Sequence, residues 1–173
     1  MADPVSPTGV EAPSEVDVVV EDHQTDVAID APRWAALAAH TLRAEGARGE
    51  LTLTFVDVDE ITSLNVEHMG KEGPTDVLSF PLDALDEPIA GEPILLGDVV
   101  VCPAVAAEAA PDHAGTVDDE LALLVVHGCL HVLGYDHAEP DETVAMRTRE
   151  LELLCAFHWD GPAPEGFRQE QDG

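Results

Sequence analysis

Positive charge is nearly missing from this chain. Seven of its 173 residues are lysine or arginine, against 36 aspartates and glutamates, for a formal net charge of −29. The seven are Arg33, Arg43, Arg48, Lys71, Arg147, Arg149 and Arg168. Such a surface carries no broad basic footprint for duplex DNA and repels free polyanions. Two origins account for it: adaptation to a salty cytosol, or a basic partner. Aromatic residues are scarce at 4%, so aliphatic side chains must fill the core. Cysteine is sparse too. Cys102, Cys129 and Cys155 are odd in number and widely spaced, with no CxxC, which excludes a disulfide framework and a cysteine zinc site. They read as buried reduced thiols. Long apolar runs are absent: the longest uncharged stretch, residues 121–135, includes His127 and His131. It falls short of the about 20 apolar residues that span a bilayer. With a polar, acidic N-terminal stretch in place of a signal peptide, the expectation is a cytoplasmic protein with no membrane contact.

What remains is patterned as one domain over residues 14–160, flanked by tails at 1–13 and 161–173 that carry no hydrophobic period. EVDVVVED (15–22) reads as a strand, and ELTLTFV (50–56) alternates as a half-buried strand should. Between them Asp30 caps a helix with Pro32 in its first turn, and Trp34, Leu37, Ala38 and Leu42 mark its apolar face. A second helix runs from about Asp57 to His68, with Ile61, Leu64 and Val66 apolar. GPTDVLSFP (73–81) is a turn leading into a short strand, and residues 82–93 form an acidic link. ILLGDVVVC (94–102) reads as a central strand buried on both faces. Pro103 opens a short helix. Thr116 and Asp119 resemble a capping box for the next one, which is uncharged on every side from Leu121 to Leu133 and therefore buried. A last amphipathic helix covers Asp141 to Cys155. The expected fold is α+β: a small mixed sheet of about four strands packed with about five helices, with a metal site at the end of the buried helix.

That site rests on HGCLHVLGYDH, residues 127–137. His127 and His131 are four apart on one helix, so their Cβ atoms lie roughly 5–6 Å apart on one face. Gly134 sits where a helix ends in a left-handed residue, which turns the chain back to present His137. Three neutral imidazoles leave a tetrahedral position open, the pattern of a catalytic zinc, one ion per chain. Written out, the stretch is H-G-x-x-H-x-x-G-x-x-H, against H-E-x-x-H-x-x-G-x-x-H in metzincin proteases. Gly128 stands where the protease has its general base. Peptide hydrolysis is thereby disfavoured, and phosphodiester cleavage, where a phosphate oxygen accepts a proton itself, fits better. Asp136 is the nearest remaining acid, as catalytic group or as an orienter of a histidine.

These eleven residues are similar, nearly position for position, to the signature of the YbeY endoribonucleases. Leu64-Asn65 followed by Gly73 to Pro81 resembles that family's second signature, and Leu96 to Val101 and the helix with Met146 and Glu150 match further landmarks. The resemblance covers about residues 15–155. It implies His127, His131 and His137 as zinc ligands. The activity implied is a metal-dependent, single-strand-specific endoribonuclease acting in ribosomal RNA maturation, at the small-subunit 3′ end, and in ribosome quality control. Single-stranded ribosomal RNA and small-subunit ribosomal proteins are the implied partners. Thr75, Asp76 and Ser79 would line or brace the cleft. One departure stands out. The family's phosphate-serving arginine falls at Met69 here, and the only lysine, Lys71, lies two residues on as a substitute charge. A non-catalytic zinc-containing assembly factor and a zinc hydrolase of another substrate are the competing readings.

Overall fold

Alternation of Leu51, Leu53 and Phe55 with threonines puts three large side chains on one face, and that stretch becomes an inner strand of the sheet. The computed structural model describes residues 15–82 and 94–169. The tail expected at residues 1–13 and nearly all of the acidic link at 82–93 lie outside those residues. Four strands form one mixed sheet: β1 (Val16–Asp22), β2 (Gly49–Phe55), β3 (Val77–Pro81) and β4 (Leu95–Val101), in the order β1-β2-β4-β3. β1 and β4 both run parallel to β2, and β3 is antiparallel to β4. Among the described residues β1 and β3 are therefore the edges. Five α-helices complete the α+β fold: α1 (Ala31–Ala44), α2 (Val58–Leu64), α3 (Pro103–Ala109), α4 (Val117–Val132) and α5 (Pro140–Leu154).

β4 is buried on both faces, as its unbroken aliphatic run requires. Leu96, Val99 and Val101 join the main core with Trp34, Leu37, Ala38 and Leu42 of α1 and the length of α4. Val100 and Cys102 point the other way, into a smaller cluster with Val56, Ile61 and Leu78. The caps expected at Asp30 and Thr116 form, each side chain accepting a hydrogen bond from a backbone N–H in the first turn of α1 and α4, and Asp57 does the same for α2. A full capping box sits instead on α5, between Glu139 and Glu142. Nearly every residue of α4 from Glu120 to Leu130 is buried. Cys102 and Cys129 are buried and Cys155 is only half-buried. Burial pushes the Cys129 thiol up to about 12, so it stays protonated and inert.

Two further sequence expectations differ from the structure. α2 gives way to a π turn over Asn65–Met69, and the wider turn rotates Val66 outward to 50% exposure while burying Asn65. The segment after Gly161, expected as a tail, packs on the body as far as it is described. Phe167 meets the Trp159 ring edge-on at 4.8 Å, and Arg168 N–H donates to the His113 carbonyl at 3.1 Å. None of the described helices is long and apolar enough to cross a membrane.

Candidate metal centre

A glycine decides how α4 sits. A Cβ on Gly128 would lie 2.5 Å from Val99 Cγ1, so only glycine lets the helix rest this closely on β4. Ser79 Oγ donates to the Gly128 carbonyl at 3.2 Å and ties the helix to β3 at the same level. α4 then ends in a Schellman turn: Gly134 N–H donates to the His131 carbonyl and Tyr135 N–H to the Leu130 carbonyl, each at 3.0 Å. Gly134 has φ +107°. The reversal brings the His137 ring to centroid distances of 5.7 Å from His127 and 5.0 Å from His131, which are themselves 4.5 Å apart.

The donor atoms of His127, His131 and His137 all lie within 4.8 Å of one another, a set that can hold a metal ion. Two of the rings are already oriented for it. Glu150, reaching in from α5, takes His127 Nδ1 at 2.5 Å, and the Tyr135 carbonyl takes His131 Nδ1 at 2.9 Å. Both bonds fix the tautomer with the proton on Nδ1, which leaves each Nε2 lone pair for a cation. The Tyr135 carbonyl is itself held, because the phenol donates to Glu45 at 2.7 Å and Glu45 also takes Arg149 Nε at 2.5 Å. Asp136 is exposed and accepts from the backbone N–H of His137 at 2.7 Å, bracing the turn and not an imidazole. Sequence reasoning marks Glu150 as a landmark without a role. The available signal was an acid on the buried stripe Met146, Leu153 and Leu154 of α5.

Burial, reinforced by the neighbouring rings of His127 and His137, pushes His131 down to about 4. It is therefore neutral, as a ligand must be, at any ordinary pH. The unfolded chain binds a proton that the folded chain refuses, so the metal-free protein should lose stability as pH falls from 6.5 towards about 4. Urea midpoints across that window should fall less in His131→Gln; equal falls would assign the effect to other groups.

The histidines open onto a cleft of about 1010 Å³. Asn65 and Met69 of the π turn, Lys71, Thr75 to Ser79, His113 and Glu120 all line it. Lys71 and Asp136 both reach this cleft. So does Asp76, whose carboxyl is raised above the usual range by burial, against the opposing pull of its backbone hydrogen bond and of His127. Glu120, 1% exposed, accepts His113 Nδ1 with both oxygens at 2.9 Å and Ala114 N–H at 3.1 Å. A smaller cavity of about 350 Å³, lined by Thr143, Arg147, Glu150 and Gln169 among others, adjoins His127 and His137 from the other side.

Comparison with known proteins decides the family. A family model described as endoribonuclease YbeY matches residues 19–158. The chain belongs to that family. A curated relative from Kineococcus radiotolerans, described as endoribonuclease YbeY, is 46% identical over 145 residues, covering 82% of this chain and 78% of the relative. One from Beutenbergia cavernae with the same description is 43% identical over 141 residues, 78% of this chain and 93% of its own length. The solution structure of a Thermotoga maritima protein is similar in fold, with a TM-score of 0.53 and 24% identity over 83% of this chain and 93% of that one. Membership in the YbeY family makes this chain a nuclease hydrolase.

Proposed function

We propose that this protein is a zinc-dependent, single-strand-specific endoribonuclease of the cytoplasm that matures ribosomal RNA at the small-subunit 3′ end and serves ribosome quality control. The observation that carries the metal chemistry is the cluster of three histidine donors within 4.8 Å, two of them with their other nitrogen already engaged, beside a large cleft. His127, His131 and His137 are the ligands in this reading. Three imidazoles and an open position suit zinc over calcium or magnesium, which take oxygen donors. Zinc held there supplies Lewis acidity toward a phosphoryl oxygen and the attacking water.

The chain's own residues do the rest. Glu150 and the Tyr135 carbonyl keep His127 and His131 in the ligating tautomer. Asp76, whose carboxyl burial raises above the usual range, lines the cleft as a candidate proton-exchanging group, whereas Asp136 is committed to the His137 turn. Lys71 offers a point charge to the phosphate from the cleft wall. Gly128, pressed on Val99, disfavours the protease alternative, since no carboxylate fits at that position. Small-subunit ribosomal proteins, being basic, would bring so acidic an enzyme to its RNA.

Labelled single-stranded RNA should be cut by the purified protein, cutting should stop with a chelator, and casein should stay intact at the same enzyme concentration. Chelator-resistant cutting or robust proteolysis would each sink the reading. Met69, 48% exposed on the cleft wall, supplies a sharper check. Met69→Arg should accelerate cleavage by about tenfold, the worth of one charge-assisted hydrogen bond. Lys71→Ala should slow it more than Arg43→Ala, which alters α1 away from the cleft. Equal rates in wild type, Met69→Arg and Lys71→Ala would show that neither position meets the phosphate.

A further inference from the structure

The described part of the segment that follows α5 reaches Glu150 beside the histidine cluster, and its last two side chains line different cavities. Gln169 lies in the smaller cavity, where Nε2 donates to the Arg147 carbonyl at 2.8 Å and to Glu150 Oε1 at 3.1 Å. The other oxygen of the same Glu150 holds His127. Arg168 lines the larger cleft, onto which the three histidines open. Its backbone N–H is fixed to the His113 carbonyl at 3.1 Å, and Phe167 is seated on Trp159 at 4.8 Å. Anchors on both sides thus hold the backbone of Arg168 at the mouth of the cleft.

Charge makes that placement matter. Among the described residues the cleft is lined by five acids and two permanent cations, Lys71 and Arg168. Arg33 and Arg149 are each paired with carboxylates, whereas no described carboxylate takes the guanidinium of Arg168. A strand of phosphates entering so acidic a cleft needs a cation that is not already neutralised. A guanidinium meets a phosphate bidentately, which the Lys71 ammonium cannot do. We propose that Arg168, carried on the docked C-terminal segment, is a phosphate-binding residue for single-stranded RNA in this cleft. The inference rests on the endoribonuclease reading and adds a residue to it from a part of the chain that reads as a tail. Arg168 supplies the grip that Met69 lacks.

The test uses the protein as purified and a fluorescein-labelled single-stranded RNA, whose anisotropy is followed over a range of salt in the interval before cleavage products form. Arg168→Gln should bind roughly tenfold more weakly. The slope of log affinity against log salt should change by about 0.7, as expected when one fewer phosphate of a single strand is neutralised. Arg168→Lys should keep the wild-type slope and recover part of the affinity. Arg43→Gln, on α1, should leave both unchanged. Should Arg168→Gln bind with wild-type affinity and slope while the wild type still cuts RNA, the inference fails and the nuclease reading stands. A wild type that neither binds nor cuts RNA overturns both.

Discussion

Alanine at position 131 should give a folded protein that emerges from dialysis without its metal, where the wild type retains about one ion per chain. His131 is the middle member of the histidine cluster: it shares a helix face with His127, at a ring separation of 4.5 Å, and stands 5.0 Å from His137. Its loss leaves one ring on the helix and one on an exposed loop. Two such ligands seldom hold zinc against buffer. Outer groups that merely orient a ligand are worth about 10–100-fold in metal affinity, so removing the ligand itself should exceed that range. Glu150→Gln grades the effect, because it weakens the bond that fixes His127 without deleting a donor. Metal content by mass spectrometry and affinity by competition with a chromogenic chelator read both variants. Full occupancy in His131→Ala would remove the centre as described.

The second large effect is expected at Gly128. Writing glutamate there restores the protease pattern on paper, but the first added carbon would stand 2.5 Å from Val99 Cγ1. Val99 is fully buried in β4, and its β-branched side chain is restricted at χ1. Either that packed side chain or the helix itself must therefore shift. Overpacking of this kind costs about 1–3 kcal/mol even for a small group, and a carboxylate buried without a partner adds to it. Gly128→Ala should lower the denaturation midpoint markedly, and Gly128→Glu should prove unstable or insoluble with no casein hydrolysis gained. A stable, proteolytic Gly128→Glu would show that the helix has room that the geometry denies it.

Much of the fold and of the metal centre is legible in the sequence because it is local. The period of β2, the Asp30 and Thr116 caps, and the absence of charge around α4 each follow from a handful of adjacent residues. The same holds for the histidine spacing and the glycine that closes α4. What escapes depends on distant partners. Glu150 is 23 residues from the ring it orients, and Glu45 is 90 residues from the phenol it accepts. Neither pairing leaves a periodic trace. A regular helix would put Val66 on the apolar face, and the π turn at Asn65 breaks that regularity. The docking of residues 161–169 is invisible for a similar reason. Its anchors are a carbonyl, an aromatic ring and a carboxylate, supplied by the body of the fold and not by any pattern in the segment itself.

An outer strand with free backbone groups is an invitation to polymerise, since a second copy can zip onto it by hydrogen bonds alone. Among the described residues β1 is such a strand, and it carries Val18, Val19 and Val20 in a row, with Val19 42% exposed. Asp17, Glu21 and Asp22 bracket those valines, and all three are exposed. Two copies meeting edge to edge would bring these acids together, on bodies that already repel one another. The chain's excess of acid thus acts as a colloidal guard for its stickiest edge. That guard weakens with added salt, because at 1 M the screening length shrinks to about 3 Å. The same screening that lets an acidic enzyme approach RNA therefore also removes the repulsion that keeps its copies apart.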